Sequence, residues 1–383
     1  MLLVAVAGAR VAAQAEPGTS VIVDPTIAPA PDVDPDTDPG DGLARGAGRG
    51  VTPLVAPVPF KHTQLGWGLA LMLGVIHRFD ADTTIKPSTG AVGGFYSENG
   101  SWGVMAVEMA RLDRDAWRLR AMASHVDVRY DFYGIGDDAG NAGHAIGVQQ
   151  QLNFVAGMAL RRVTSGLYLG PVATWMQSTV TVRDSSGSVS PPAVADLART
   201  DLFAPGLQAE VDTRDDDFWP TTGSVGRLRA FFFSSALGGS RTFQRYVAMW
   251  SWYGRLHGEA LVLAANVNVC GAHGDAPFYS LCTLGMGRGG LRGYTQGRYR
   301  DTVMTTVQAE LRYHTPGRFG ATAFAGFGQV APSAGDVFQA QVLPAGGAGL
   351  RFQLTRRYPM HLRLDYAWGR NGGLLYFGVT EAF

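Results

Sequence analysis

Gly285–Asp301 reads GMGRGGLRGYTQGRYRD. It holds six glycines, four arginines and two tyrosines in 17 residues, with no apolar run. Glycine at this density is selected for backbone freedom, so neither a helix nor a covered strand is expected here. The stretch is a loop, and two kinds of loop fit it. One is exposed and basic. The other folds back against an interior wall, with Arg292 pinned by a buried carboxylate. The chain on either side has to decide between them.

The whole chain has 383 residues, of which 17% are charged and 10% aromatic, with 51 glycines. A soluble globule carries roughly 25% charge and about 7% glycine. No stretch of ~18 uninterrupted apolar residues occurs, which excludes a helical membrane protein. Low charge with many aromatics fits strands that alternate between lipid and a polar lumen. The formal net charge is zero, so nothing electrostatic favours nucleic acid. Cys270 and Cys282 stand just upstream of the loop. In an oxidising compartment a disulfide between them would be worth up to ~3 kcal/mol in the chain-entropy model; two free thiols are the alternative. No third ligand stands at zinc spacing, and no metal is expected.

In chain order, Met1–Ala15 reads as the back half of a secretion signal, an apolar run followed by Ala13-Gln14-Ala15. The charged start is missing: either the start codon lies upstream or this is merely an apolar N-terminus. Residues 16–59 hold nine of the twenty prolines and a run of aspartates at Asp32, Asp34, Asp36, Asp38 and Asp41. Such a stretch cannot build a core and repels itself, so it reads as a solvated linker, leaving no room for a folded N-terminal domain.

Beyond Leu65 the period changes to two and stays so, and residues 60–383 read as one barrel domain. Fifteen alternating runs follow one another, most of them ten residues or longer, beginning at Trp67 and ending with Gly372–Phe383. Two of them are Arg241–Tyr253 and Leu256–Cys270. Bacterial barrels close with an even number of strands of about 9–11 residues, so a sixteenth is expected. Only Thr52–Gln64 is left to supply it, and it carries Pro53, Pro57 and Pro59. The predicted fold is an all-β transmembrane antiparallel barrel. Leu362, Leu364, Tyr366 and Trp368 alternate with Arg363, Asp365 and Ala367, as a wall between lipid and lumen would. Phe383 ends the last run, where a closing strand has a use for an aromatic.

These features resemble the BamA/TamA type of outer-membrane protein, the bacterial surface antigen family. Its barrel has sixteen strands and a loop between strands eleven and twelve that enters the lumen with an Arg-Gly-aromatic tip. Leu291-Arg292-Gly293-Tyr294 matches that tip. Pro277-Phe278-Tyr279 upstream, Gly289-Gly290 before it, and Gly297 with Arg300-Asp301 after it resemble the family's spacing. Asp212-Thr213-Arg214-Asp215 with Pro220 to Gly223 resembles its periplasmic turn between strands eight and nine, and Phe383 its C-terminal assembly signal. The resemblance implies that Arg292 pairs with Glu310 on strand twelve. The family's strand-thirteen aspartate is replaced by Gly326, so either the lock is looser or Asp365 substitutes.

The same resemblance implies a bacterial outer-membrane location with both termini periplasmic, and a role in inserting or translocating proteins. Expected partners are outer-membrane lipid and lipopolysaccharide, with client outer-membrane proteins or a separate periplasmic partner, around a monomer. A pore or structural barrel plugged by its own loop is the alternative. No G-x-S-x-G, H-E-x-x-H or phosphate loop occurs, so neither an enzyme nor a cofactor is expected, and a lipolytic enzyme with a Ser/His pair on the barrel wall ranks last among the readings. The acidic cluster Asp212, Asp215, Asp216 and Asp217 reads as a solvated turn in preference to a calcium site.

Overall fold

The computed structural model describes residues 52–383 apart from 78, 80–87, 185–198, 217–218, 259, 286–289, 316 and 354–360. The signal-like start and most of the Pro/Asp-rich stretch therefore lie outside the described residues, as do Asp217 and Gly289. The strands are β1 (Thr52–His62), β2 (Gly66–His77), β3 (Ser88–Ser97), β4 (Trp102–Leu112), β5 (Trp117–Phe132), β6 (Ile146–Thr164), β7 (Leu167–Asp184) and β8 (Thr200–Asp212). Then come β9 (Gly223–Phe233), β10 (Phe243–His257), β11 (Leu261–Gly274), the two-residue β12 (Cys282–Thr283) and β13 (Arg300–Asp301), and β14 (Val303–His314). The chain finishes with β15 (Phe319–Ala331), β16 (Leu343–Gln353), β17 (His361–Gly369) and β18 (Gly372–Val379). A short helix, α1 (Asp137–Ala142), sits between β5 and β6.

Among the described residues, sixteen of these strands close one antiparallel barrel in sequence order, with β18 returning to β1. β12 and β13 pair with each other inside the long β11–β14 connection, so the stretch expected to form no covered strand ends in a buried one of two residues, Arg300–Asp301. Successive side chains of a strand point to opposite faces, and the burial follows that period of two. In β14, Met304, Thr306, Gln308, Glu310 and Arg312 are buried, while Val307, Leu311 and Tyr313 are exposed. On β17, Leu364, Tyr366 and Trp368 are exposed and Asp365 and Ala367 buried. The exposed side chains are thus the apolar ones, as lipid demands. No described helix is long and apolar enough to cross a membrane.

β5, β6 and β7 run 16, 19 and 18 residues, well past the ~9–11 that a bilayer needs. Their outer faces turn polar toward one rim, where His125 bonds Asn153, Asn153 bonds Gln177, and Gln149 bonds Asp127. Those segments stand clear of the apolar band.

Three expectations need correction. β1, Thr52–His62, is the expected sixteenth strand, so the stretch read as linker to residue 59 has to end before it. The break expected between Tyr253 and Leu256 falls instead at Gly258, which has φ 54°. Gly254 continues β10, and its missing side chain leaves room for the indole of Trp252, 2.5 Å from where a Cβ would stand. The final strand stops at Val379, short of Phe383. Thr380 takes φ 72° and donates its N–H to the His361 carbonyl at 2.8 Å, which carries Glu381 and Phe383 into the interior.

The β1–β18 seam is the thin point of the barrel. β17 and β18 are registered from Leu362↔Val379 to Gly369↔Gly372, and β1 and β2 from Thr52↔Ile76 to His62↔Gly66. Between β1 and β18 the described register is Lys61↔Phe377 alone. Pro53, Pro57 and Pro59 share one parity, so their missing N–H groups fall on one edge of the strand. Since the β1–β2 ladder is complete, the deficient edge is the one toward β18.

Candidate functional site

Arg292 is buried and spends all three faces of its guanidinium on the interior wall. Nη2 donates to Glu310 Oε2 at 2.5 Å, Nη1 to Asp365 Oδ2 at 2.6 Å, and Nε to Gln308 Oε1 at 3.2 Å. The Phe324 ring lies 3.4 Å beneath the guanidinium carbon. Gln308 and Glu310 come from one strand because they are two apart on its inward face; Asp365 comes from β17. Gly326 lies opposite Gln308, and a Cβ there would meet the Val307 carbonyl and the Gln308 backbone. The second carboxylate on Arg292 is therefore Asp365.

The pair belongs to a larger network. Glu310 Oε1 accepts from Arg312 Nε at 2.8 Å and lies 3.7 Å from Arg351 Nη2. Arg351 bonds Asp365 at 2.6 Å and Glu381 at 2.7 Å. Arg312 donates to the main-chain oxygen of Phe383 at 3.0 Å and sits near the rings of Trp219, Tyr253 and Phe383. Three guanidiniums thus face three carboxylates, with Arg363 3.7 Å from Asp365 on the flank. Burial this deep is tolerable only because each charge finds opposite charge and hydrogen bonds.

The loop also touches both sides of the seam. Gly293 N–H donates to Tyr376 Oη of β18 at 2.8 Å, and Tyr299 Oη reaches Asn371 at 2.9 Å. On the other side, Gln296 Oε1 meets His62 Nε2 at 2.5 Å, its carbonyl accepts from Gln64 Nε2 at 2.8 Å, and its N–H bonds Thr63 Oγ1 at 3.2 Å. Tyr294 donates to the Pro344 carbonyl at 2.6 Å. Upstream, Pro277 caps a 3-10 turn of Phe278–Ser280, and Cys270 is disulfide-bonded to Cys282 with Cα atoms 5.6 Å apart. Gly290 is the last residue before the tip, beside Leu291, which is buried.

Gly293 takes φ 103°, and a Cβ there would sit 2.8 Å from the Trp368 carbonyl. Both the backbone and the space require glycine. Gly293→Ala is expected to weaken the loop by about 1–3 kcal/mol, read as faster protease cleavage within residues 285–301 than in the parent protein.

Residues 118–383 match the Omp85 superfamily domain. The chain belongs to the Omp85 superfamily. Among solved structures, this Omp85 barrel resembles BamA from Haemophilus ducreyi lacking POTRA domains 1–3, with TM-score 0.59 and 15% identity over 86% of this chain and 70% of that one. CdiB from Acinetobacter baumannii (TM-score 0.55, 12% identity) and CdiB from Escherichia coli (0.56, 12%) each match 86% of this chain. This chain spans 59% and 62% of those two structures, and at such identities the likeness is one of fold. No curated protein matches its sequence.

In this Omp85 barrel the turn after β8 is tightly bonded. Arg214 donates to both oxygens of Asp212, at 2.8 and 2.7 Å. Asp215 accepts from the N–H groups of Thr221, Thr222 and Asp216 and from the Thr221 hydroxyl. Gly223, at φ 94°, returns the chain into β9. Between them Trp219, followed by the buried Pro220, packs on the rings of His361 and His314, at 4.6 and 5.8 Å, across the rim. Among the described residues no His, Cys, Asp or Glu group is placed to hold a metal.

Burial raises the Asp215 carboxyl, but the hydrogen bonds to Thr221, Thr222 and Asp216 outweigh it and hold the group below the ordinary aspartate value. A depressed acid stabilises above its unfolded pKa, and the contribution is lost as pH falls through the folded value. Asp215→Asn should therefore lower the thermal midpoint at neutral pH, and the difference from wild type should vanish in strong acid.

Sequence reasoning missed Arg351, Glu381, Gln296 and Tyr376. The inward parity of Arg351 was available from its strand, opposite the outward Leu350. Glu381 carried no such signal, since its position depends on the turn at Thr380.

Proposed function

We propose that this Omp85 barrel works in the outer membrane, with both termini on the periplasmic side, in the insertion or translocation of other proteins. The observation that carries the proposal is the seam, registered at Lys61↔Phe377 while its neighbouring ladders run their full length. An edge strand with free donors and acceptors recruits another strand by backbone pairing. Here β18 is the better template, because prolines deprive β1 of donors. The loop acts as the lock: Arg292 anchors its tip to the wall, and Gly293 and Gln296 bond the two sides of the seam. Opening then requires the loop–seam bonds to break, while the Arg292 anchor can stay in place. Clients are other outer-membrane barrels or exported polypeptides.

Client-barrel folding in liposomes tests this. Wild type is expected to accelerate folding. A Lys61→Cys/Phe377→Cys pair, oxidised across the seam, should abolish the acceleration, and reduction should restore it, with wild type under the same reductant as control. Equal acceleration by the oxidised pair would remove the seam from the mechanism, and no acceleration by wild type at any protein ratio would remove the function. In that case the buried loop favours the second reading, a barrel plugged by its own connection.

A further inference from the structure

Arg300, in β13 of the same loop, is fully buried and, unlike Arg292, has no carboxylate partner among the described residues. Its Nη1 makes one long bond, 3.4 Å, to the Phe278 carbonyl. The rings of Phe132 and Phe278 lie 5.4 and 5.3 Å away. Nε and Nη2 have no hydrogen-bond partner. Nearby, Tyr130 donates to Gln150, Gln150 to Ser178, and one oxygen of the adjacent Asp301, Oδ1, accepts from the Thr302 N–H.

An arginine cannot neutralise itself by losing its proton, so the charge stays. Two aromatic faces offset part of the desolvation. A water molecule would satisfy a donor without balancing the charge. Moreover, Nε and Nη2 are the two donors of one edge of the guanidinium, the fork that takes the two oxygens of a carboxylate or phosphate. Gln296 Nε2, buried and also unpartnered, belongs to the residue before Gly297. Gly297 takes φ 77°, and a Cβ there would stand 2.9 Å from Arg300 Nη2, so the loop backbone runs close beside the guanidinium.

We propose that the Nε–Nη2 edge of Arg300 is a receptor inside the barrel for one oxyanion, a carboxylate or a phosphate. This stands apart from the Arg292 lock, which is already neutralised. Two sources present that chemistry: a free oxyanion, and the chain's own aspartates at 32, 34, 36, 38 and 41. Either would bind the folded state and stabilise it by mass action.

The test is the thermal midpoint of the refolded full chain, read by heat-modifiable gel mobility, in inorganic phosphate against chloride at equal ionic strength. The proteins are wild type, Arg300→Met, Arg300→Lys and a variant with the five aspartates changed to Asn. A free-oxyanion site gives a saturable rise of about 2–4 °C in wild type, absent in Arg300→Met. If the aspartates are the source, their replacement lowers the midpoint of wild type but not of Arg300→Met, and phosphate restores it. Should Arg300→Met fail to fold, Arg300→Lys decides, because it keeps the charge and loses the fork: a response under half that of wild type supports the site, and an equal response overturns it. A wild type indifferent both to phosphate and to loss of the aspartates overturns it as well.

Discussion

Arg292→Ala is expected to destabilise the barrel by about 3–5 kcal/mol, because it leaves Glu310 and Asp365 buried beside each other without their shared cation. Both carboxylates are fully buried, so water cannot replace the guanidinium cheaply. Asp365 keeps Arg351, and Glu310 keeps Arg312, which sets the upper end of that range. The loop tip also loses its anchor, so conductance in planar bilayers should rise. Arg292→Lys should recover only part of the loss: an ammonium is a point charge and cannot meet Glu310, Asp365 and Gln308 at once. An unchanged thermal midpoint together with unchanged conductance in Arg292→Ala would show that the contacts are incidental.

Glu310→Ala should cost at least as much. Glu310 serves Arg292 at 2.5 Å and Arg312 at 2.8 Å, with Arg351 3.7 Å away. Its removal leaves three buried guanidiniums with Asp365 and Glu381 as the remaining acids, an uncompensated charge at the centre of the network. Loss of a folded, heat-modifiable species is the expected result, with Glu310→Gln intermediate because it keeps the volume and one acceptor. Where both single variants fold, the double variant Arg292→Ala/Glu310→Ala should fall short of the sum of the singles by about 1–3 kcal/mol, the coupling typical of direct partners. Additive effects would mean that the two residues act separately.

The barrel was legible because lipid on one side and a polar lumen on the other impose a period of two on every strand. The number of strands and the wall faces of β14 and β17 follow from that period. Glu310 was legible through the loop motif, and Asp365 as one of two open outcomes, since its inward parity was plain but its distance from Arg292 was not. That distance depends on how β14 to β17 are registered around the curve of the barrel, which no local pattern records. The turn at Thr380 is a positive-φ threonine, for which sequence offers no signal of the kind a glycine gives, so Phe383 was taken as the end of a strand. Gly254 shows the opposite error: a glycine that makes room for Trp252 looks the same in sequence as one that turns the chain.

The most direct measurement is thiol accessibility at Leu291→Cys, the buried residue beside Arg292, in intact outer membranes treated with a membrane-impermeant maleimide. The native cysteines are bonded to each other, so the introduced thiol is the one that reacts. With the loop tip held against the wall, labelling should be far slower than at Phe338→Cys, a position 94% exposed, and should speed up when Arg292→Ala is added. Labelling of Leu291→Cys at the Phe338→Cys rate in the otherwise native protein would place the loop in open water and contradict the lock.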